Sequence, residues 1–299
     1  MNNIQTEFSI KDLENLTGIK AHTIRIWEKR YNLLEPNRTE TNIRTYDVES
    51  LQKLLNVVFL NKNGFKISKI SNIKENEIPV LVREIASRGN QKHHAINSLK
   101  LSMMNFDQTL FYNTYSNLLE ENSFKEIFYD VFLGVLEEIG VLWQTDTISP
   151  AHEHFISTLI KQKILVNIEK VQNLEPVKKD KTCVLFLPDH EIHDIGLLFL
   201  NYEMVCKGYH CIFLGQSVPI DCLSDIVDKY NSISFVSYFT VKPEISELDD
   251  YLETFNSLLL KDSKNKFIIL GQRAKQIDQK KLPKSIMVYD SINDLVKDL

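Results

Sequence analysis

Apolar positions in the first part of this chain repeat at helical spacing. After about residue 181 they gather into short β-rich runs separated by helical stretches. Ser9 stands before Ile10, Leu13 and Leu16, which fall three apart, and Thr17-Gly18-Ile19 breaks the pattern before a second helix over about residues 20–30. In that helix Ile24 and Trp27 share one face, and the Trp27 ring is expected to anchor the packing between helices. The stretch from Tyr31 to Tyr46 holds Pro36 and the polar run Asn37–Asn42, which suits a β-wing. Asp47 then caps a helix bearing Leu51, Leu54, Leu55 and Val58, and Asn63-Gly64 ends it before a short fourth helix near Ile67–Ile73. Apolar spacing over 80–101, 105–120, 123–142 and 150–172, with breaks at Gly89-Asn90 and Gln144–Pro150, predicts four helices of bundle length. Ser149 is placed to cap the last of these, with Pro150 at its first position. Strand-like runs at 182–187, 210–214, 233–239, 266–270 and 285–289 predict a parallel sheet wound by βαβ crossovers.

Two polar, proline-bearing stretches, Lys74–Pro79 and Leu174–Lys181, divide this pattern into segments 1–75, 80–173 and 181–299. The expected architecture is multidomain, α and α/β: a winged helix-turn-helix, a four-helix bundle and a doubly wound, Rossmann-like parallel sheet. A length of 299 residues suits that number of domains. No apolar run approaches the ~18 residues of a membrane span, and the polar start has no signal-peptide pattern, so a cytoplasmic location without membrane partners is the expectation. Cys183, Cys206, Cys211 and Cys222 form no Cys-x-x-Cys pair and read as reduced, mostly buried thiols. His93-His94 and His152/His154 are neighbours whose side chains diverge on a helix, a poor arrangement for a metal. The net charge of −5 is unevenly spread: residues 1–75 carry 12 Lys and Arg against 9 Asp and Glu. Only this part is suited to phosphate, and the placement of its basic side chains carries the argument.

Near the start or on the outer faces of the second helix stand His22, Thr23, Arg25, Lys29 and Arg30, where base edges and phosphates are reached in helix-turn-helix proteins. Arg38, Arg44 and Tyr46 in the wing are candidate phosphate contacts. The run Ile24-Arg25-Ile26-Trp27-Glu28-Lys29-Arg30-Tyr31, with the Pro36-x-Arg38 and Arg44-x-Tyr46 spacings, resembles the MerR family. The chain departs from that family at the wing turn, where Thr39-Glu40-Thr41 replaces a Gly-Gly or Asp-Gly pair.

Within a predicted strand–loop–helix, Glu191-Ile192-His193-Asp194-Ile195-Gly196 follows the first sheet strand, at the carboxyl end where ligands of such sheets bind. It resembles the cobalt-ligating loop of cobalamin-binding domains. That resemblance implies His193 as the lower axial cobalt ligand, and either Glu191 or Asp194 can hydrogen-bond its other ring nitrogen. It also implies Gly196 as the point where the displaced nucleotide tail passes close to the backbone. Ser237-Tyr238-Phe239 and Gly271-Gln272 stand where the family has Ser-x-Leu and Gly-Gly, so Phe239 and Gln272 are departures. Trp143, followed after nine residues by Glu153-His154, resembles the cobalamin photoreceptor repressors of the CarH/LitR group. In that group the Trp packs over the upper face of the cofactor and the His ligates cobalt from above after photolysis. By resemblance these roles fall to Trp143 and His154, with Glu153 at the adenosyl group.

The resemblance implies a non-enzymatic, homo-oligomeric repressor, dimer or tetramer, that binds a double-stranded operator under control of adenosylcobalamin and light. Two other readings stand beside it. One is a repressor of the same architecture that no longer uses cobalamin, favoured by Phe239 and Gln272. The other is a corrinoid-carrying enzyme module, which the DNA-binding N-terminus argues against.

Overall fold

The computed structural model describes residues 7–39, 41–85, 91–145, 147–230, 232–261 and 264–299. It divides into two compact units, Met1–Leu159 and Ile160–Leu299. The first begins with β1 (Glu7–Ser9), α1 (Ile10–Thr17), α2 (Ala21–Tyr31), β2 (Asn37–Arg38), β3 (Arg44–Asp47), α3 (Val48–Lys62) and α4 (Ile67–Ile70). Ser9 opens α1 through a capping box, its Oγ accepting from the Asp12 amide and the Asp12 carboxylate accepting from the Ser9 amide. β3 pairs antiparallel with β2 to form the wing and with β1, which the alternation of so short a segment does not reveal. At the wing turn Asn42 adopts a left-handed backbone with φ +64°, and its amide donates to Thr39 O at 2.8 Å. Asn tolerates that conformation where most residues do not, so it takes over the work of the missing glycine. Glu40 lies outside the described residues. Phe8, Leu13, Leu16, Ile24, Trp27, Tyr46, Leu51, Leu54 and Leu55 are all buried.

Six further helices follow: α5 (Ile78–Ile85), α6 (Gln91–Asn105), α7 (Gln108–Leu119), α8 (Phe124–Ile127), α9 (Leu133–Gln144) and α10 (Pro150–Val171). The stretch predicted as one helix over 80–101 forms α5 and α6, and the Gly89-Asn90 break lies outside the described residues. Between α8 and α9, Phe128–Phe132 forms a wider π turn, which buries Phe128, Val131 and Phe132. The polar stretch 74–79 does not separate two compact units, because α3 packs against α5 and α6 and the buried Lys100 of α6 donates to Leu16 O at the end of α1 (3.2 Å). The same ammonium pairs with Glu138 of α9 at 2.6 Å. Asn15 of α1 donates to Thr147 Oγ1, in the turn after α9, at 2.8 Å.

The second unit carries β4 (Lys178–Phe186), α11 (Ile195–Cys206), β5 (Tyr209–Gly215), α12 (Ser224–Val227), β6 (Ile233–Tyr238), α13 (Leu248–Phe255), β7 (Lys266–Leu270), β8 (Ile286–Val288) and α14 (Ile292–Asp298). All five strands run parallel in the order β5-β4-β6-β7-β8. β4 begins four residues earlier than the apolar run suggests, and each other strand lies within two residues of its expected bounds. The order reverses at β4, which creates a crevice at its carboxyl end. Phe186, Phe235, Phe239, Phe255 and Phe267 form one aromatic core, with the Phe255 and Phe267 rings stacked at 3.8 Å. Of the cysteines Cys183 is buried, whereas Cys206 and Cys222 are exposed, contrary to the expectation of mostly buried thiols.

Candidate DNA face and corrinoid-binding loop

The amphipathic α2 buries Ile24, Trp27 and Glu28 and leaves His22, Arg25, Ile26, Lys29 and Arg30 exposed, with Thr23 half-buried. Trp27 is therefore a core residue, as its position on the apolar face predicts. Thr23 Oγ1 lies 3.3 Å from His22 Nε2. Glu28 was not singled out by the pattern, yet it organises this face. Its carboxylate receives the Tyr46 hydroxyl and, at 3.2 Å, Arg44 Nε, so the foot of the wing is fastened to the recognition helix. Tyr46 consequently does not contact phosphate from the surface. It is fully buried, and burial followed by the hydrogen bond to Glu28 pushes its phenol well above the ordinary range. Arg44 remains 35% exposed beside this bond. Arg38, at the wing tip, donates to Asn42 Oδ1 at 2.5 Å and is exposed.

A second carboxylate sets the helix-turn-helix angle. Glu14 Oε2 accepts the amide of Ala21, the first residue of α2, at 3.0 Å, and Oε1 pairs with Lys20 at 3.1 Å. These bonds, the amide first, hold its carboxyl at about 2.

In the helices that follow, Trp143 is 56% exposed on the last turn of α9. Glu153 and His154 sit in the opening turn of α10, with His154 Nδ1 3.0 Å from Glu153 Oε2 and the imidazole 70% exposed. His152 is the buried residue of that turn. Its ring stacks on Phe106 with centroids 4.6 Å apart, and its Nδ1 lies 2.9 Å from Ser149 Oγ and accepts the Ser149 amide at 3.2 Å. Burial lowers its pKa, so the ring is held neutral. The intervening turn is closed by Thr145 and Thr147, whose hydroxyls are 3.0 Å apart, and by the Thr147 amide donating to Leu142 O at 2.9 Å.

In the second unit the loop Pro188–Asp194 leaves the carboxyl end of β4 and enters α11. Glu191 is fully buried, and His193 Nδ1 meets its Oε1 at 2.5 Å. The same carboxylate accepts the amides of Val241 at 2.7 Å and Lys242 at 2.8 Å, which ties this loop to the one after β6. Burial opposes its charge, and the bonds from His193, Lys242 and Val241 outweigh burial and hold the carboxyl at about 2. Glu191, and not Asp194, thus holds the imidazole. Asp194 pairs with Lys161 at 2.6 Å and accepts from Gln216 at 2.9 Å. Nδ1 is thus the His193 nitrogen engaged by the carboxylate, and the ring is 49% exposed; in the neutral tautomer with its proton on Nδ1, Nε2 carries the lone pair that a metal ligand needs. No linear pattern discloses this network, because Val241 and Lys242 lie about 50 residues from Glu191.

The remaining site residues are used by the chain itself. A Cβ on Gly196 would stand 2.9 Å from Tyr238 Cε2 and Cζ, so the glycine admits the Tyr238 ring. Ser237 is buried and its hydroxyl donates to Phe186 O at 2.8 Å. Gly271 has φ +103°, and a Cβ there would meet Phe239 O at 2.3 Å. Gln272 is exposed.

Residues 8–77 match the MerR HTH family regulatory protein domain, and residues 95–166 match the B12 binding domain. The chain joins a MerR-type helix-turn-helix to a B12-binding domain. It is 25% identical to the HTH-type transcriptional repressor CarH of Myxococcus xanthus over 84% of both chains. To the repressor CarA of the same organism it is 24% identical, over 72% of this chain and 70% of that one. It is homologous to these repressors. The Methanosarcina barkeri monomethylamine corrinoid protein superposes with a TM-score of 0.56 at 14% identity, covering 69% of this chain and 97% of that one, a likeness of fold. Among the described residues no helix is long and apolar enough to cross a membrane.

Proposed function

We propose that this chain is a transcriptional repressor whose hold on its operator depends on a bound corrinoid, an adenosyl form whose cobalt–carbon bond is cleaved by light. The observation that carries this reading is the Glu191–His193 pair in the crevice beyond β4, in a chain that begins with a MerR-type helix-turn-helix. His193 would hold the cobalt, and Glu191 would orient its ring and raise its basicity. The resemblance gives Trp143, Glu153 and His154 to the upper face and the adenosyl group. When bound, the corrinoid supplies the photolabile bond, and the protein turns that event into a change of association. His22, Thr23, Arg25 and Arg30 meet DNA from α2, and Arg38 and Arg44 meet it from the wing.

Full-length protein mixed with adenosylcobalamin in the dark, gel-filtered and scanned for corrin absorbance tests this reading, followed by operator binding before and after illumination. Retained absorbance and DNA binding that falls in light support it. The second reading, a repressor of this architecture that works without a corrinoid, is favoured by the Tyr238 ring over Gly196 and gains if no absorbance is retained.

A further inference from the structure

The residues assigned to the lower side of a corrin behave in two ways. Glu191 and His193 are formed as a ligand with its supporting carboxylate. Three positions beyond them are engaged by the chain itself. The resemblance gives Gly196, in the first turn of α11, and Ser237 and Gly271, at the carboxyl ends of β6 and β7, to a substituent on the lower face of the corrin. At Gly196 the way is covered by the Tyr238 ring. The Ser237 hydroxyl donates its proton to Phe186 O. At Gly271 the backbone of Phe239 takes the freedom that the missing side chain leaves, and it is pinned there by Phe239 N to Leu270 O at 2.7 Å and Arg273 N to Phe239 O at 2.9 Å. The Phe239 side chain is fully buried, with its ring centroid 5.6 Å from Tyr251 and 6.2 Å from Phe267. Both glycines therefore serve the packing of this chain, and Phe239 beside Gly271 belongs to the aromatic core.

Resting on the function proposed above, we infer that the site prefers a corrinoid whose lower face carries no nucleotide base, of the cobinamide class, to a complete cobalamin. A benzimidazole with its ribose and phosphate has to displace the half-buried Tyr238 ring to pass Gly196 and lies against the packed Phe239 backbone at Gly271, and well-packed interiors resist such insertion. A cobinamide brings no such group. With a cobinamide, His193 would take the place of a water on the cobalt, with no change of oxidation state.

The test is titration of the full-length protein in the dark with adenosylcobinamide and with adenosylcobalamin, followed by absorbance. Adenosylcobinamide is expected to bind at least about tenfold more tightly, a difference of about 1.4 kcal/mol. Tyr238→Ala, which uncovers Gly196, is expected to narrow that ratio by strengthening cobalamin binding. Phe239→Leu provides an independent variant should the first fold poorly, and it is expected to act in the same direction. Electron spin resonance of the cobalt(II) forms, with histidine labelled by nitrogen-15, reports the lower ligand directly: histidine coupling is expected with the cobinamide and not with the cobalamin. Equal or tighter binding of cobalamin with histidine coupling overturns this inference alone. Binding of neither corrinoid overturns it together with the reading on which it rests.

Discussion

Glu14 shows how one side chain sets the geometry of a reading head. It closes the first amide of α2 and gathers Lys20 and Lys11, so its contribution to stability depends on its charge. Its folded pKa of about 2 lies below the ordinary value of 4.5, so the contribution is complete above that ordinary value and is lost as pH falls through about 2. Glu14→Gln is therefore expected to be less stable than the wild type at pH 7, with the difference shrinking between pH 4.5 and 2 in denaturant titrations. Tyr46 and Arg38 separate in the same way. Tyr46→Phe leaves the buried Glu28 carboxylate without one donor and should cost about 1–3 kcal/mol of unfolding free energy while leaving the salt dependence of DNA binding unchanged. Arg38→Ala should leave stability intact and flatten the salt slope by about one counterion. A Tyr46→Phe protein with wild-type stability would remove Glu28 from its place as the tie between wing and helix.

At the scale of elements, what the sequence discloses is what repeats within a few residues. The five sheet strands, the amphipathic α2 and α3 and the Ser9 and Asp47 caps are all written in local period or local polarity, and the structure places them close to where the pattern does. What it withholds is pairing at a distance. β1 has three residues and is a strand because β3 lies beside it. The π turn at Phe128–Phe132 keeps the same apolar faces as an α-helix and so leaves the period undisturbed. Tyr46 looks like a surface wing residue until Glu28 is found opposite it, and the choice between Glu191 and Asp194 is made by the amides of Val241 and Lys242. The wing turn is a further case, since Asn42 supplies the left-handed backbone for which a glycine was sought. Asn42→Gly should be tolerated, and Asn42→Ala should cost about 1 kcal/mol through backbone strain, measurable by thermal unfolding.

For the molecule as a whole, the proposed function predicts that full-length protein loaded with an adenosyl corrinoid in the dark elutes at a larger size and binds DNA, and that green or blue light reverses both. A light-insensitive elution profile from loaded protein would leave a corrinoid sensor that is not a photoreceptor. The attachment of α1 to the helices behind it adds a consequence of a different kind. Asn15 holds the turn between Trp143 and Glu153, and Lys100 joins the end of α1 to Glu138, so the reading head rides on the bundle and is not leashed to it by a loose chain. The Asn15 bond puts α1 in direct contact with Thr147, four residues from Trp143. Equilibrium coupling is reciprocal, so whatever factor the corrinoid adds to the grip on DNA, DNA adds to the grip on the corrinoid. A chain parked on its operator should then surrender its pigment more reluctantly than one adrift in solution, and the genome itself becomes one of the things that decides how long each molecule stays coloured.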